Sequence, residues 1–289
     1  MRREGEPSPV GEGSRHSSGE GTAPTIITSR KNPLIQDLRG LLQSSARRTA
    51  RCVVEGWRFL ETAAASGADI RLVVYTPAAA AHPRGEEMRR RLQAAGARLI
   101  VVSPYVFDSL TQVDAPQGVL GIVRRPPDAP AALLEDAKAL FAVLDGVQDP
   151  GNVGAILRTA VAAGATGGVV AGTAADPFGS KAIRASAGAV FQLPLLFFAS
   201  ASQAAAALRR HDVRVLVADP RADRLESEVS YARPLALVFG SEGAGAAQAW
   251  TPPGIRIRLP MAGAMESLGV AAAAAVLLYR AGEAAGPRD

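Results

Sequence analysis

Short apolar blocks alternate with polar, helix-like segments over the first half of the chain. An amphipathic helix is predicted from Leu34 to Leu42, where apolar residues recur at helical spacing. Strands are then expected at 52–54, 70–75, 99–102 and 119–123, with helices at 57–65 and 86–95 and a helical turn at 104–110. Strands that alternate with helices indicate an α/β unit with a largely parallel sheet.

The same alternation returns, with longer elements, after a proline-rich run at 124–130 (RRPPDAP). Neither a sheet nor a helix accommodates such a run, so it predicts a linker, which we place at 124–137. Beyond it, strands are expected at 140–144, 168–171, 213–218, 235–239 and 255–259, and helices at 152–163, 202–210 and 267–280. The sequence therefore predicts two α/β domains, a smaller one over 25–123 and a larger one over 138–289.

The composition excludes several classes of protein. No apolar run reaches the ~18–20 residues of a membrane span. Residues 1–24 are rich in Gly, Ser, Glu and Pro, and this composition predicts a disordered tail. They also lack the apolar core of a secretory signal. Cys52 is the only cysteine and the three histidines are far apart, so a disulfide framework or a cysteine- or histidine-rich metal site is not expected. We expect a cytoplasmic protein that needs no metal.

Basic residues are concentrated in the N-terminal half. Residues 1–125 contain 18 Arg and Lys against 12 Asp and Glu, whereas residues 126–289 contain 14 against 15. A basic module beside a neutral one indicates polyanion binding, although a solvated basic face would give the same pattern. The candidate contacts are Arg30, Lys31, Arg47, Arg48 and Arg51.

Three glycine-bearing stretches follow predicted strands in the second unit, at 144–154, 238–245 and 258–269. Loops at the carboxyl ends of strands form the ligand crevice of an α/β sheet, and glycines there let the backbone approach a ligand closely. Glycines that only shape turns would give the same pattern in any one loop. The stretches match neither a P-loop nor a Rossmann fingerprint, and Gly240-Ser241-Glu242-Gly243 is out of register with the hydrolase elbow.

Taken together, the three stretches resemble the three motifs of the SpoU (TrmH-type) RNA ribose 2′-O-methyltransferases, of the knotted SPOUT class. The first is Asn152-x-Gly-x-Ile-x-Arg158-Thr-Ala, the second begins at Phe239 (FGSEGxG), and the third is Leu259-Pro-Met-x-Gly followed by Ser267-Leu-x-Val. They occur in family order over residues ~138–283. The basic N-terminal unit resembles, more loosely, the family's substrate-binding domain, which is related to a ribosomal-protein fold.

This resemblance implies a fold and a cofactor. The larger domain would form a deep trefoil knot and pair with a second copy as a homodimer, with the active site between the two copies. S-adenosylmethionine would be held in the knot mainly by backbone groups, at Gly240, Leu259 and Leu268 with Met261 nearby. The reaction would move the cofactor's methyl group to a ribose 2′-oxygen.

The resemblance also implies catalytic residues, which are Asn152, Arg158, Glu242 and Ser267. In relatives the arginine is often assigned as the base, but an arginine side chain stays protonated far above neutral pH. We expect Arg158 to stabilise the developing alkoxide and to hold the adjacent phosphate. Glu242 either takes part in catalysis or only satisfies backbone N–H groups.

One residue departs from the family pattern. The family usually has Asn after the Ser-Leu of the third motif, where this chain has Gly269, so one polar contact is lost. Two readings therefore stay open. The chain is an active RNA 2′-O-methyltransferase, acting on rRNA rather than tRNA because of its basic domain, or it is an RNA-binding homologue with weak or no activity that works in ribosome assembly.

Overall fold

A computed structural model describes residues 25–43, 50–252 and 254–284. The predictions for the tail 1–24 and for Arg47 and Arg48 lie outside these residues. Within them the chain forms two sheets, one before residue 125 and one after residue 139. The predicted α/β class is confirmed.

The first sheet has four strands with helices on both faces. Apolar residues of α1 and α5 pack on one face, and those of α2 and α4 pack on the other. The strands are β1 (Arg51–Glu55), β2 (Ile70–Tyr75), β3 (Arg98–Val101) and β4 (Val119–Arg124). The helices are α1 (Pro33–Gln43), α2 (Trp57–Ala65), α3 (Pro77–Ala81), α4 (Pro83–Ala94) and α5 (Pro104–Phe107).

The prediction that this sheet is largely parallel is wrong. The strand order is β1-β4-β2-β3, and only β2 and β3 pair in parallel. The first three strands do run in one direction, as their intervening helices predict. However, β4 enters antiparallel between β1 and β2. A loop rather than a long helix precedes β4, so the chain can reverse there, whereas a parallel pair needs a crossover connection.

The second sheet has six strands, in the order β10-β8-β9-β5-β6-β7, and every pairing is parallel. Its centre, β5 and β9, is buried along its whole length, as expected of strands covered on both faces. The strands are β5 (Leu140–Asp145), β6 (Gly167–Ala171), β7 (Leu195–Phe198), β8 (Arg214–Ala218), β9 (Leu235–Gly240) and β10 (Ile255–Ile257).

Helices cover both faces of this sheet. Apolar residues of α6, α7 and α9 pack on one face, and α8 and Trp250 pack on the other. The helices are α6 (Pro150–Ala162), α7 (Ser180–Ala185), α8 (Ala201–Arg210) and α9 (Val270–Glu283). None of the helices in the described part of the chain has the length and apolar character that a membrane crossing requires.

Elements of the two halves of the chain pack directly against each other. Helix α7 packs against β1, and one apolar core contains residues from both halves. The segment predicted as a linker packs against the second sheet. Leu134 is only 2% exposed, and the N–H of Ala129 donates to the carbonyl of Leu195 in β7. We call the contact around Arg125, Phe178 and Phe197 the joint. There the guanidinium of Arg125 lies 4.9 Å from the centre of the Phe178 ring and 4.8 Å from that of Phe197.

Candidate functional site

A cleft of about 570 Å³ opens at the carboxyl edge of the second sheet. Parallel strands end at one edge, so the segments that follow β8, β9 and β10 meet there, and the start of α9 closes the cleft. Its lining includes Asp219, Arg221, Phe239, Gly240, Glu242, Arg258, Leu259, Met261, Ser267 and Leu268. The structure thus brings together the four residues predicted to bind the cofactor and two of those predicted to be catalytic.

At Gly240, one wall of this cleft is formed by backbone without a side chain. A Cβ atom at this position would lie 2.0 Å from the backbone nitrogen of Ala246, so no side chain fits. The next residues fold back on themselves, with hydrogen bonds in both directions between the backbones of Ser241 and Gly245 (2.9 and 3.2 Å). A close backbone wall suits recognition by N–H and C=O groups, as the resemblance implies.

A buried carboxylate fixes the segment that follows this turn. Asp145, at the end of β5, accepts hydrogen bonds at Oδ2 from the backbone N–H of Ala247 (2.6 Å) and from Nε1 of Trp250 (2.8 Å). Trp250 is fully buried and Asp145 is 7% exposed. Asp145 is not among the site residues predicted from the sequence. The available signal was an acidic residue at the end of an otherwise apolar strand.

Beyond the pairing of β5 with β9, a side-chain hydrogen bond joins the first and second stretches: Nδ2 of Asn152 donates to Oε1 of Glu242 (2.6 Å). Asn152 lies in the first turn of α6, where its backbone N–H donates to the capping residue Asp149 (2.9 Å). The pKa of the Asp149 carboxyl is lowered, first by the hydrogen bond from Lys181 Nζ (2.8 Å) and then by that N–H. Asn152 therefore holds the Glu242 carboxylate beside the cleft.

Arg158 does not join this cluster within one chain. It lies on α6 six residues after Asn152, is exposed, and does not line the cleft. Its guanidinium has no hydrogen bond or ion pair with any other residue that the structure describes. The predicted catalytic set is thus only partly assembled in the isolated chain.

The third stretch differs from its prediction in one respect. The last helix begins at Val270, not at Ser267, because Gly269 occupies the N-cap position and glycine is a poor residue for a helix interior. Ser267 and Leu268 therefore lie in the preceding loop, where every residue from 262 to 269 is exposed. Likewise, the strand predicted at 255–259 ends at Ile257.

Asp219 and Arg221 also line the cleft, and Arg256 contacts Asp219 from outside the lining. Burial alone would raise the pKa of Asp219, but hydrogen bonds from the backbone N–H of Arg221 (2.9 Å) and from the guanidinium of Arg256 outweigh it, and that pKa is lowered. Asp219 is therefore ionised at neutral pH. Among the described residues no group of three His, Cys, Asp or Glu side chains is placed to hold a metal ion.

Comparison with known proteins gives a consistent result. Residues 139–279 match the SpoU rRNA Methylase family, and residues 32–121 match the MRM3-like substrate binding domain. The chain is 31% identical to the 23S rRNA (uridine(2479)-2′-O)-methyltransferase of Streptomyces viridochromogenes, over 92% of this chain and 94% of that protein. It is 28% identical to the 23S rRNA (guanosine(2553)-2′-O)-methyltransferase RlmP of Bacillus subtilis, over 88% and 97%.

Among solved structures, the AdoMet-bound rRNA methyltransferase from Sinorhizobium meliloti is similar with a TM-score of 0.79. It is 30% identical, and the match covers 89% of this chain and 97% of that one. The resemblance drawn from the three motifs is thereby confirmed. The chain belongs to the SpoU rRNA methylase family.

Proposed function

We propose that the protein transfers the methyl group of S-adenosylmethionine to a ribose 2′-hydroxyl of ribosomal RNA. The observation that carries this proposal is the meeting of the second and third motif stretches at one cleft, where the first stretch contacts Glu242 through Asn152, together with membership of the SpoU family. We place the reaction in the methyltransferase domain at 138–289, the RNA contacts in the domain at 25–123, and the activity in the cytoplasm.

The cleft fits the cofactor in size and in chemistry. Its volume falls within the range of ordinary ligand pockets, and its walls combine bare backbone at Gly240 with the apolar side chains of Leu259, Met261 and Leu268. These four residues would hold S-adenosylmethionine, which supplies an electrophilic methyl group. We also propose that the chain of this domain is threaded into a trefoil knot.

The neighbouring polar residues would handle the ribose. The Glu242 carboxylate, fixed at Oε1 by Asn152, would accept the 2′-hydroxyl proton at Oε2, and the Ser267 hydroxyl would orient the sugar. Arg158 stays protonated, so it would stabilise the negative charge that develops on the 2′-oxygen and hold a flanking phosphate.

A second copy of the chain would complete the site. Met265 and Leu268 are 64% and 42% exposed in the loop before α9, and Val276 and Tyr279 are 41% and 45% exposed on α9 itself. Helix α6, which carries the exposed Arg158, packs against α9. We propose that this surface pairs with its twin and that Arg158 acts on the ribose from there. Sedimentation should then give a dimer, and Val276→Glu should give a monomer.

Basic residues of the N-terminal domain would contact RNA phosphates. Lys31 is exposed, Arg51 forms an exposed ion pair with Asp37 (3.2 Å), and Arg30 stacks on Tyr105. An exposed ion pair contributes little, so Asp37 competes weakly with a phosphate. We propose that these residues, with Arg47 and Arg48, bind phosphates, and that RNA affinity falls steeply with salt.

The deciding experiment incubates the full chain with tritiated S-adenosylmethionine and either unmodified 23S rRNA or unmodified tRNA. We expect tritium in the rRNA, at a 2′-O-methylribose after nuclease digestion, with no loss of activity when EDTA is added. Transfer only to tRNA would overturn the substrate. Binding of RNA and cofactor with no transfer to either RNA would favour the RNA-binding homologue.

A further inference from the structure

A second cleft, of about 710 Å³, opens at the carboxyl edge of the first sheet. It lies where β1 and β2 end and β4 begins, in the domain that carries the excess of basic residues. Its lining comprises Trp57, Arg58, Thr76, Ala78, Ala79, His82, Arg84, Pro104, Phe107, Asp108, Pro116, Gln117 and Gly118. The family motifs of the second domain do not involve this cleft.

The cleft has an apolar base between closely spaced walls, which suits a flat ligand with a polar edge. Trp57 and Phe107, both nearly buried, form its apolar base, and Pro104 and Pro116 stand at its sides. Gly118 lets two walls approach closely, because it has a φ of +71° and a Cβ atom there would lie 2.5 Å from Oγ1 of Thr76. An apolar slot with a polar rim is typical of sites that accept an unstacked nucleobase.

The rim offers hydrogen-bond donors and positive charge. Oε1 of Gln117 accepts a hydrogen bond from the backbone N–H of Trp57 (3.1 Å), so its Nε2 group remains to donate. Arg58 and Arg84 are exposed, and neither guanidinium is paired with an acidic side chain in the described part of the protein. Asp108 is the one acidic side chain among the lining residues. Two unpaired guanidinium groups suit the phosphates on either side of a bound base.

An exposed aromatic ring stands beside the cleft on α5. Tyr105 is 61% exposed, and the guanidinium of Arg30 lies 3.8 Å from the centre of its ring. Two hydrogen bonds from Arg30, of 3.0 and 2.7 Å, reach the backbone carbonyl of Tyr105 and fix this stack. One face of the ring is thus covered by Arg30, and the ring is held in place for a base to stack on its other face.

We infer that this edge of the N-terminal domain binds single-stranded nucleotides of the RNA substrate. One base enters the cleft, a neighbouring base stacks on Tyr105, and Arg58 and Arg84 bind the phosphates between and beside them. The inference rests on the proposed function only in taking RNA as the substrate. A duplex hides its base faces, so the site selects loops or unpaired ends.

The test compares two pairs of arginines with the same change in charge. Arg58→Ala with Arg84→Ala removes the rim cations, whereas Arg71→Ala with Arg98→Ala removes two exposed arginines at the opposite edge of the same sheet, where β2 and β3 begin. The probe is a fluorescein-labelled, mixed-sequence single-stranded RNA of twelve nucleotides, measured by anisotropy. We expect the rim variant to bind roughly tenfold more weakly and to lose about two counterions from the salt slope. The control variant should change by less than about twofold.

Substitution of Tyr105 tests the stacking contact. Tyr105→Leu should weaken RNA binding by roughly tenfold, and Tyr105→Phe should leave it unchanged, because the aromatic face is kept. In methyl transfer, the rim variant and Tyr105→Leu should raise KM for rRNA while kcat and the Kd for S-adenosylhomocysteine stay the same. Folding of each variant is checked by its thermal midpoint.

The outcomes separate this site from the proposed function. Equal losses in the two arginine pairs, no loss in either, or equal binding of a duplex of the same sequence would overturn the site. Absence of methyl transfer by the unaltered chain would overturn the proposed activity, and the anisotropy comparison would still decide the site.

Discussion

Among single residues, Arg158 stands apart from the other residues predicted to be catalytic. It lies about 9 Å further along α6 than Asn152, it is exposed, and no described residue of its own chain pairs with its guanidinium. A salt bridge on the surface of a helix would have given the arginine a partner. An unpaired arginine within a motif instead fits a group that meets its ligand only in the assembled complex.

Substituting Arg158 should therefore affect turnover more than binding. Arg158→Ala should lower kcat by about 10²–10³-fold, the usual cost of losing one donor to a developing oxyanion, while the Kd for S-adenosylhomocysteine stays the same. Arg158→Lys should restore little, because an ammonium group lacks the planar two-donor fork. The control is Arg209→Ala, an exposed arginine on α8, across the sheet. Full activity of Arg158→Ala would contradict the assigned role.

Gly269 offers a second test at the level of one residue. Its φ is −56°, and a Cβ atom there would meet nothing within 4 Å, so a side chain fits without strain. Gly269→Asn should change stability by only a few tenths of a kcal/mol, because Asn and Gly are both accepted at an N-cap. Turnover should be equal or higher, since the family's amide is restored. Gly269→Ala is the control that lacks the amide, and a tenfold loss in the Asn variant alone would contradict this expectation.

At the level of elements, a residue of one strand fixes the loop that follows its neighbour. The wall of the first cleft follows β9, but the group that fixes it, Asp145, belongs to the neighbouring strand β5. Two donors, the N–H of Ala247 and the indole of Trp250, converge on one carboxylate oxygen. Asp145 is thus a positioning residue that acts through the segment at 241–250.

Removal of this carboxylate should weaken both stability and cofactor binding. Asp145→Ala leaves two donors without an acceptor at a cost of about 1–3 kcal/mol each, and the loop loses its fixed position. Urea unfolding should show the loss of stability, and calorimetry should show a raised Kd for S-adenosylhomocysteine. Asp145→Asn should restore most of both, since an amide oxygen still accepts. Trp250→Phe, which removes one donor only, should cost less than Asp145→Ala; an equal cost would contradict the account.

The sequence predicted elements better than their arrangement. Periodicity predicted α2 and β2 with their observed bounds, and it placed all of the second sheet except β7, a four-residue strand that follows Pro194. It missed α3 and α7 because five or six residues give too little periodicity. The direction of β4 and the role of Asp145 depend on partners about 50 and 100 residues away in the chain, respectively, and local patterns hold no information about either.

The recognised motifs predicted the first cleft because part of its wall is formed by closely packed backbone. Gly240 is constrained by the close approach of residues 245–246, a local feature that a motif records. By contrast, Arg58 and Gln117 lie 59 residues apart and meet only in the folded domain, at the ends of two paired strands. Motifs therefore predicted the first cleft and gave no signal for the second.

For the whole molecule, the packing of one half of the chain against the other fixes how the two halves are joined. Arg125 lies between the rings of Phe178 and Phe197, and its guanidinium is 3.8 Å from Asp176. Cys52 of β1 is buried in the same core. Burial, then the charge of Asp176, raises the pKa of the Cys52 thiol to about 12, although Arg125 acts in the opposite direction.

Cys52, the only cysteine, therefore reports the opening of this joint. With a pKa of about 12, the thiol holds its proton at pH 8, and the closed interface should protect it from Ellman's reagent. An unfolded chain should react at the rate of a free cysteine. Arg125→Ala should raise the native-state rate at low urea, because the joint loses its ring-stacked cation, whereas Arg124→Ala, an exposed neighbour, should not. Equal rates in the two variants would contradict a joint held by Arg125, and rapid labelling of the unaltered chain would contradict the closed interface itself.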